Sequence, residues 1–586
     1  MRDNHQTTVD DLIKNFPFPT LREKQSFVLK EIGAAFASGY RHIILEAPTG
    51  FGKSPVAVAA GLTLGSSYVC TATKDLQTQY ARDFPFVKPA KGKGNFSCEV
   101  KDDFIRNGTY KCKPCVSTRN DCPHTTVEYG PCMSDDKYIC KYKTLLKDYK
   151  VSNKSTKREH VFLSPDTQNH YQDKYFQWSH LENLKENIKR DWRPCEYYDQ
   201  LSIAIVASHS VLNYSIFLAL IHKNLPSREL LVLDEAHLLE MELVRFRGIS
   251  ISKKKWRKYI PDLKIQDHGY DVKEWTDFLS NLKDMMINAN ILNEELLVEA
   301  SQDIDKLELT INSIVSNSRN WIVSEIKKEG HEVLKVELKP LDVSPYCKDV
   351  FRKCNKTLMM SATILDAKTF CKNIGLEHDD VKIIRVGSDF PLQNRLIYPL
   401  DTAYLNYINL QKDAVKISLT KTIDDLMTRH KDNKGIIHTT SYDQLNFIKE
   451  NISQTNKRRL LVTDPVIERD EVIAEHAKSA KPTVLISPSL HIGLDLKDDL
   501  SRFQIITKVP YPSLGDKWID EKRKINEQWY SWQTALRLVQ GYGRSVRSKE
   551  DWAITYVLDS AFGLFVNKNK NILPDWFTQA IVRTKH

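Results

Sequence analysis

The sequence predicts an α/β chain built on parallel sheets, and three observations carry that reading. Ile43–Ser54 runs from an apolar strand through a glycine-rich turn into a helix start. Leu230–His237 is a second apolar strand, and it ends in acids. Between the two lies a segment holding seven of the chain's eleven cysteines. Strands covered on both faces read as continuous apolar runs rather than as alternation, and both runs have that character. At 586 residues the chain exceeds one compact domain, and three or four units are expected.

Composition excludes several classes. There is no Pro/Gly excess of the disordered kind and no repeat period. Met1 opens the polar stretch Arg2–Gln6, so the reading expects no secretory leader and a cytoplasmic protein. The most apolar region, Leu201–Ile221, is interrupted by Ser208, His209, Ser210 and Asn213. A membrane span needs about 20 mostly apolar residues, so a buried strand over Ile203–Ala207 followed by a helix is expected, with no membrane partner. The net charge of +10 favours polyanions. Residues 88–159 concentrate it, with 16 Lys/Arg against 9 Asp/Glu interleaved with Phe96, Phe104, Tyr110, Tyr138 and Tyr142. Cations that follow a backbone, beside rings that stack on bases, suit single-stranded nucleic acid.

The chemical motifs follow in chain order. Gln25, in Leu21-Arg22-Glu23-Lys24-Gln25, precedes the loop and is placed to read adenine. In Gly50-Phe51-Gly52-Lys53-Ser54 the glycines let backbone N–H groups close on phosphates. Lys53 supplies a cation to the β- and γ-phosphates, and the Ser54 hydroxyl a ligand for Mg²⁺. Thr71 and Thr73 end a strand with hydroxyls suited to nucleic-acid phosphates. In Asp234-Glu235-Ala236-His237, Asp234 is expected to hold Mg²⁺ and Glu235 to polarise the attacking water. His237 is expected to couple this site to neighbouring motifs. Trp275–Val323 has apolar residues at helical spacing and no proline, so helices are expected there. Ser361-Ala362-Thr363 is a coupling motif, Gly435–Ser441 and Gly493-Leu494-Asp495 take matching positions further on, and Gln540 opens Gln540-Gly541-Tyr542-Gly543-Arg544-Ser545-Val546-Arg547. Arg544 and Arg547, three apart, would share one face of a helix and reach a γ-phosphate as arginine fingers.

These motifs, in this order, make the chain from about Phe16 resemble the XPD/DinG family of superfamily 2 DNA helicases. Three local signatures add to the resemblance: Lys91-Gly92-Lys93-Gly94-Asn95-Phe96-Ser97-Cys98, Cys195-Glu196-Tyr197-Tyr198 with Glu196 where the family has proline, and Val336–Ser344. The resemblance implies two RecA-like P-loop NTPase lobes, with an Fe–S cluster domain and a helical arch domain inserted in the first. It divides the chain into 1–87 (first lobe), 88–200 (cluster insertion), 201–239 (first lobe, continued), 240–345 (arch), 346–375 (first lobe, end) and 376–586 (second lobe). It further implies ATP-dependent 5′→3′ translocation on single-stranded DNA, forked duplex DNA as partner, a repair setting, a monomer associated with the nucleoid, and ATP-site roles for Asp495 and Gln540.

A [4Fe–4S] cluster needs four thiolates. Resemblance to archaeal members selects Cys98, Cys112, Cys115 and Cys195, leaving Cys122, Cys132 and Cys140 as alternatives, with His124 beside them for a second metal. Spacing alone suits tetrahedral zinc equally well. Cys70, Cys347, Cys354 and Cys371 are expected to be core thiols. Two rival functions follow from the same residues: a DEAH-type RNA helicase, and a zinc-containing nucleic-acid-binding protein with a degenerate motor.

Overall fold

The computed structural model describes residues 9–98, 195–221, 225–289, 294–330, 332–388, 390–406, 408–462, 469–488, 496, 498–543, 545–546 and 550–583. Among these residues the α/β expectation holds, with two parallel sheets and a third, antiparallel one. The first sheet contains β1 (His42–Glu46), β2 (Ser67–Thr71), β3 (Lys88–Ala90), β4 (His209–Asn213) and β5 (Arg228–Asp234). It is completed by β9 (Cys354–Ser361) and β10 (Val381–Arg385), in the order β10-β1-β9-β5-β2-β4-β3. Its central strands are apolar throughout, as a sheet covered on both faces requires: Ile43, Ile44 and Leu45, and Leu230 to Leu233, expose no surface.

The second sheet runs β11-β16-β15-β12-β14-β13, from β11 (Ile397–Ala403), β12 (Gly435–His438), β13 (Leu460–Val462), β14 (Val484–Ser487), β15 (Phe503–Ile506) and β16 (Ile554–Asp559). The insertion after β5 folds as β6 (Ile249–Ser252), β7 (Trp321–Glu329) and β8 (Glu332–Pro340) against the helices Val272–Ile287 and Glu294–Ser316. Trp256, Trp275, Leu279 and Val336 form the core between them.

Three expectations need correction. Ile203–Ala207 is not a strand: Glu196–Val206 is a helix, and the strand begins at His209. A short apolar run carries no periodicity that separates the two, and the helix end is held by the Arg228 guanidinium, which donates to the Ala204, Ile205 and Ala207 carbonyls. Trp321–Val323 is strand rather than helix, because it opens a hairpin with β8 that turns at Gly330 in a left-handed conformation (φ 58°).

The lobe boundaries also move. β3 pairs with β4 in the first sheet rather than belonging to the cysteine insertion, and β10 pairs with β1 rather than joining the second lobe. Both are short, and sheet membership is a pairing that their own residues do not encode. The helix Glu527–Tyr542 ends with Gly543 at its cap, and the two arginines expected to share a helical face lie outside the described residues. This helix packs on the first lobe, where Trp529, Trp532, Leu536 and Val539 join its core and the Trp532 indole donates to the Ile364 carbonyl at 2.8 Å.

Candidate nucleotide site between the lobes

The carboxyl ends of β1, β5 and β9 converge on one cleft, the usual ligand position in open parallel sheets. β1 delivers the loop at 47–54. Gly50 (φ 78°) and Gly52 (φ 87°) are both left-handed, which side chains beyond glycine resist, and the helix Lys53–Leu64 starts directly after Gly52. Lys53 Nζ donates to the Ala47 carbonyl at 3.1 Å, which holds the ammonium over the loop. Gln25 is buried and serves the loop itself: Nε2 donates to the Phe51 carbonyl at 3.0 Å, while Oε1 accepts from the Arg22 N–H at 3.1 Å. A Cβ on Gly52 would lie 2.5 Å from Gln25 Nε2, so the close approach and the positive φ both demand glycine there.

β5 delivers the acids. Asp234 is buried; its Oδ2 accepts from the Tyr80 hydroxyl at 3.1 Å and its Oδ1 from the Glu235 N–H at 3.1 Å. Burial, reinforced by the neighbouring Glu235 charge, raises its carboxyl to about 6, against the opposing pull of Lys53. Glu235 adopts a left-handed backbone (φ 54°), a conformation costly for a non-glycine residue and concentrated at functional sites.

Contacts to the second lobe follow from His237. Its Nδ1 lies 2.9 Å from Ser361 Oγ and 3.4 Å from Glu235 Oε2. Gln540 Nε2, on the helix Glu527–Tyr542, donates to His237 Nε2 at 2.6 Å and to Thr363 Oγ1 at 3.0 Å. With Nε2 accepting, the ring proton sits on Nδ1, aimed at Ser361 and the catalytic-type acid. Gly50, Gly52, Lys53, Ser54, Asp234, Glu235, His237 and Gln540 line a cleft of about 830 Å³, within the range of small-molecule sites. Gln540→Ala removes the amide that joins these three motifs; ATP turnover is expected to fall about tenfold or more in a steady-state phosphate-release assay, with nucleotide affinity little changed.

Sequence reasoning missed two contributors. Glu46, read only as loop context, accepts from the Ile364 and Leu365 N–H groups at 2.9 and 2.8 Å and from Arg385 Nε at 3.1 Å, tying β1 to the turn after β9 and to β10. Tyr80 carried no signal, because its partner Asp234 is 154 residues away. Asp495, Arg544 and Arg547 lie outside the described residues.

For the cysteines, the structure brings the two flanking signatures together. Cys98 is buried, and Cys195 caps the helix Glu196–Val206 and is half-buried. The Phe96 ring lies 6.0 Å from Tyr197, Lys93 sits over the same tyrosine, and the Lys91 N–H donates to Gln200 Oε1 at 2.6 Å. Cys98 and Cys195 are both thiols, the donor type that an iron–sulfur or zinc centre uses, while Cys112, Cys115, Cys122, Cys132, Cys140 and His124 lie outside the described residues. Among the described residues no three His, Cys, Asp or Glu side chains group as a metal site. Cys70, Cys347, Cys354 and Cys371 are buried, and burial pushes every one of their thiols up, to about 12 for Cys354 and Cys371. Neutral core thiols are what the sequence led one to expect of these four.

Comparisons with known proteins agree with this geometry. The helicase C-terminal domain family matches residues 425–580. The ATP-dependent DNA helicase DinG of Photobacterium profundum is 27% identical over 264 residues, 41% of this chain; that match spans only 36% of the relative's own length. The ATP-dependent DNA helicase YoaA of Haemophilus influenzae is 21% identical over 88% of each chain. A solved XPD helicase structure superposes with a TM-score of 0.57 at 17% identity, covering 97% of this chain and 100% of that one, and so shares its fold. Two parallel-sheet lobes with a phosphate loop, an acidic box and a Ser-Ala-Thr motif at their junction make up the fold that the chain shares with that structure. In part of its sequence and in its fold, the chain is thus similar to the DinG, YoaA and XPD helicases. Among the described residues no helix is long and apolar enough to cross a membrane.

Proposed function

We propose that the protein is an ATP-dependent DNA helicase that moves 5′→3′ along single-stranded DNA and opens forked duplexes, as a monomer, in DNA repair. The observation that carries this reading is the Gln540 amide, which reaches from the second-lobe helix to His237 and Thr363 on the first. A side chain shared by both lobes at the acidic box is what converts a change at the γ-phosphate into lobe movement.

In the proposed cycle ATP binds across the loop at 47–54, with Lys53 on its β- and γ-phosphates. Ser54 and Asp234 would hold Mg²⁺, which neutralises phosphate charge when bound. Glu235 orients water for in-line attack and accepts its proton as the β–γ bond breaks, giving ADP and phosphate. Arg544 and Arg547 are assigned to the charge that develops on the transferred phosphoryl, and Asp495 to the second-lobe side of the site. Cys98, Cys112, Cys115 and Cys195 would hold a [4Fe–4S] cluster, whose contribution is to brace the inserted domain rather than to react with DNA. A cytoplasmic, nucleoid-associated setting follows from such a substrate.

The test compares ATP turnover with no nucleic acid, single-stranded DNA and single-stranded RNA, together with unwinding of duplexes bearing 5′ or 3′ tails. Stimulation by DNA and opening of the 5′-tailed duplex are expected. A clear RNA preference, or no stimulation, would overturn the reading. Iron and sulfide analysis after anaerobic purification adds a second check: Cys98→Ser or Cys195→Ser is expected to lose iron, and zinc without iron would refute the cluster.

A further inference from the structure

Tyr80 lies in the last turn of the helix Lys74–Asp83 and exposes none of its surface. Packing does not explain the choice of residue. Its ring meets Phe84 at 5.9 Å, a contact phenylalanine would make as well. A buried hydroxyl is costly unless it is paired, so its presence calls for partners. The partners are specific: the hydroxyl donates to Asp234 Oδ2 at 3.1 Å and also hydrogen-bonds the Ser54 side chain. Ser54 stands on the phosphate loop and Asp234 at the end of β5, so Tyr80 is the third group in the gap between them, supplied by a different element.

We propose that Tyr80 is a positioning residue for the divalent metal of the bound nucleotide. Its hydroxyl contacts both Ser54 and Asp234, the two groups that would hold the ion, and fixes their spacing before it binds. Mg²⁺ keeps several waters and tolerates little distortion, so pre-setting the distance between its two protein anchors favours it directly. A phenol suits the task because it donates to the carboxylate while its oxygen still accepts, from Ser54 or from a metal-bound water. Had the hydroxyl been a plug in the metal's place, its removal would ease metal binding; the two roles predict opposite signs.

The inference rests on the proposed ATP site, and the experiment separates the two. Binding of a fluorescent non-hydrolysable ATP analogue to the full chain is measured for wild type and Tyr80→Phe, first with chelator and then across a MgCl₂ series. Equal affinity is expected without metal. The Mg²⁺ concentration that gives half of the metal-dependent tightening is expected to rise about tenfold in the variant, the size of one hydrogen bond to a charged group. An unchanged or lower Mg²⁺ requirement overturns the proposal, as does loss of metal-free binding in the variant, which would make Tyr80 a packing residue. A wild-type chain that binds no nucleotide under any condition would instead sink the ATP-site reading, and the proposal with it.

Discussion

Glu235→Gln is expected to cut ATP turnover by about 10²–10⁴-fold while nucleotide binding survives. The substitution keeps shape and hydrogen-bonding capacity but removes the base that takes the proton from water. Nothing else in the described cleft replaces it. Asp234 is enclosed and already committed to Tyr80 and the Glu235 N–H, and the His237 Nε2 that might accept a proton is occupied by Gln540. Single-turnover phosphate release, set beside analogue binding, separates loss of chemistry from loss of affinity. Retained turnover in the variant would show that another group serves as base.

Glu240→Ala is expected to cost about 3–5 kcal/mol of stability, the range found when one partner of a buried ion pair is removed. Glu240 begins the helix Leu239–Arg247, directly after the acidic box, and its carboxylate is enclosed. Oε1 lies 2.9 Å from Lys522 Nζ, and Oε2 accepts from the Trp529 indole at 2.8 Å. Lys522 is itself buried and also donates to the Leu341 carbonyl at 2.7 Å. The alanine variant leaves an ammonium and an indole N–H in a dry interface without their acceptor. Urea unfolding measures the loss. The double variant Glu240→Leu with Lys522→Met is expected to recover most of it, because the penalty is the stranded charge rather than the missing attraction. A single variant as stable as wild type would show that water reaches the pair.

What was legible in the sequence was what is local. A strand, a glycine turn and a helix start lie within a dozen residues, so chemistry and geometry are written together, and Lys53, Asp234 and Gln540 all line one cleft. What was not legible depends on partners far along the chain. The Glu240–Trp529 contact joins residues 289 apart, and Tyr80 means nothing until Asp234 is beside it. The Ile203–Ala207 misreading has another cause: five apolar residues fit strand and helix alike, and Arg228, from β5, decides by donating to the helix's terminal carbonyls. The lobe boundary failed for the same reason as Tyr80, since β10 belongs to the sheet only through β1.

That last pairing bears on how the protein is made. β1, which bears the phosphate loop, is flanked by β9 and β10, and Arg385 reaches Glu46 across 339 residues. At about 5–20 residues per second, a ribosome that has released β1 needs roughly 20 to 70 s more to deliver β10. For most of that interval both edges of the loop-bearing strand lack their neighbours, and the turn that Glu46 anchors does not yet exist. Nucleotide therefore cannot assist the folding of the nascent first lobe; the chain must complete a sheet around an open strand before it has anywhere to bind the ligand that will drive it.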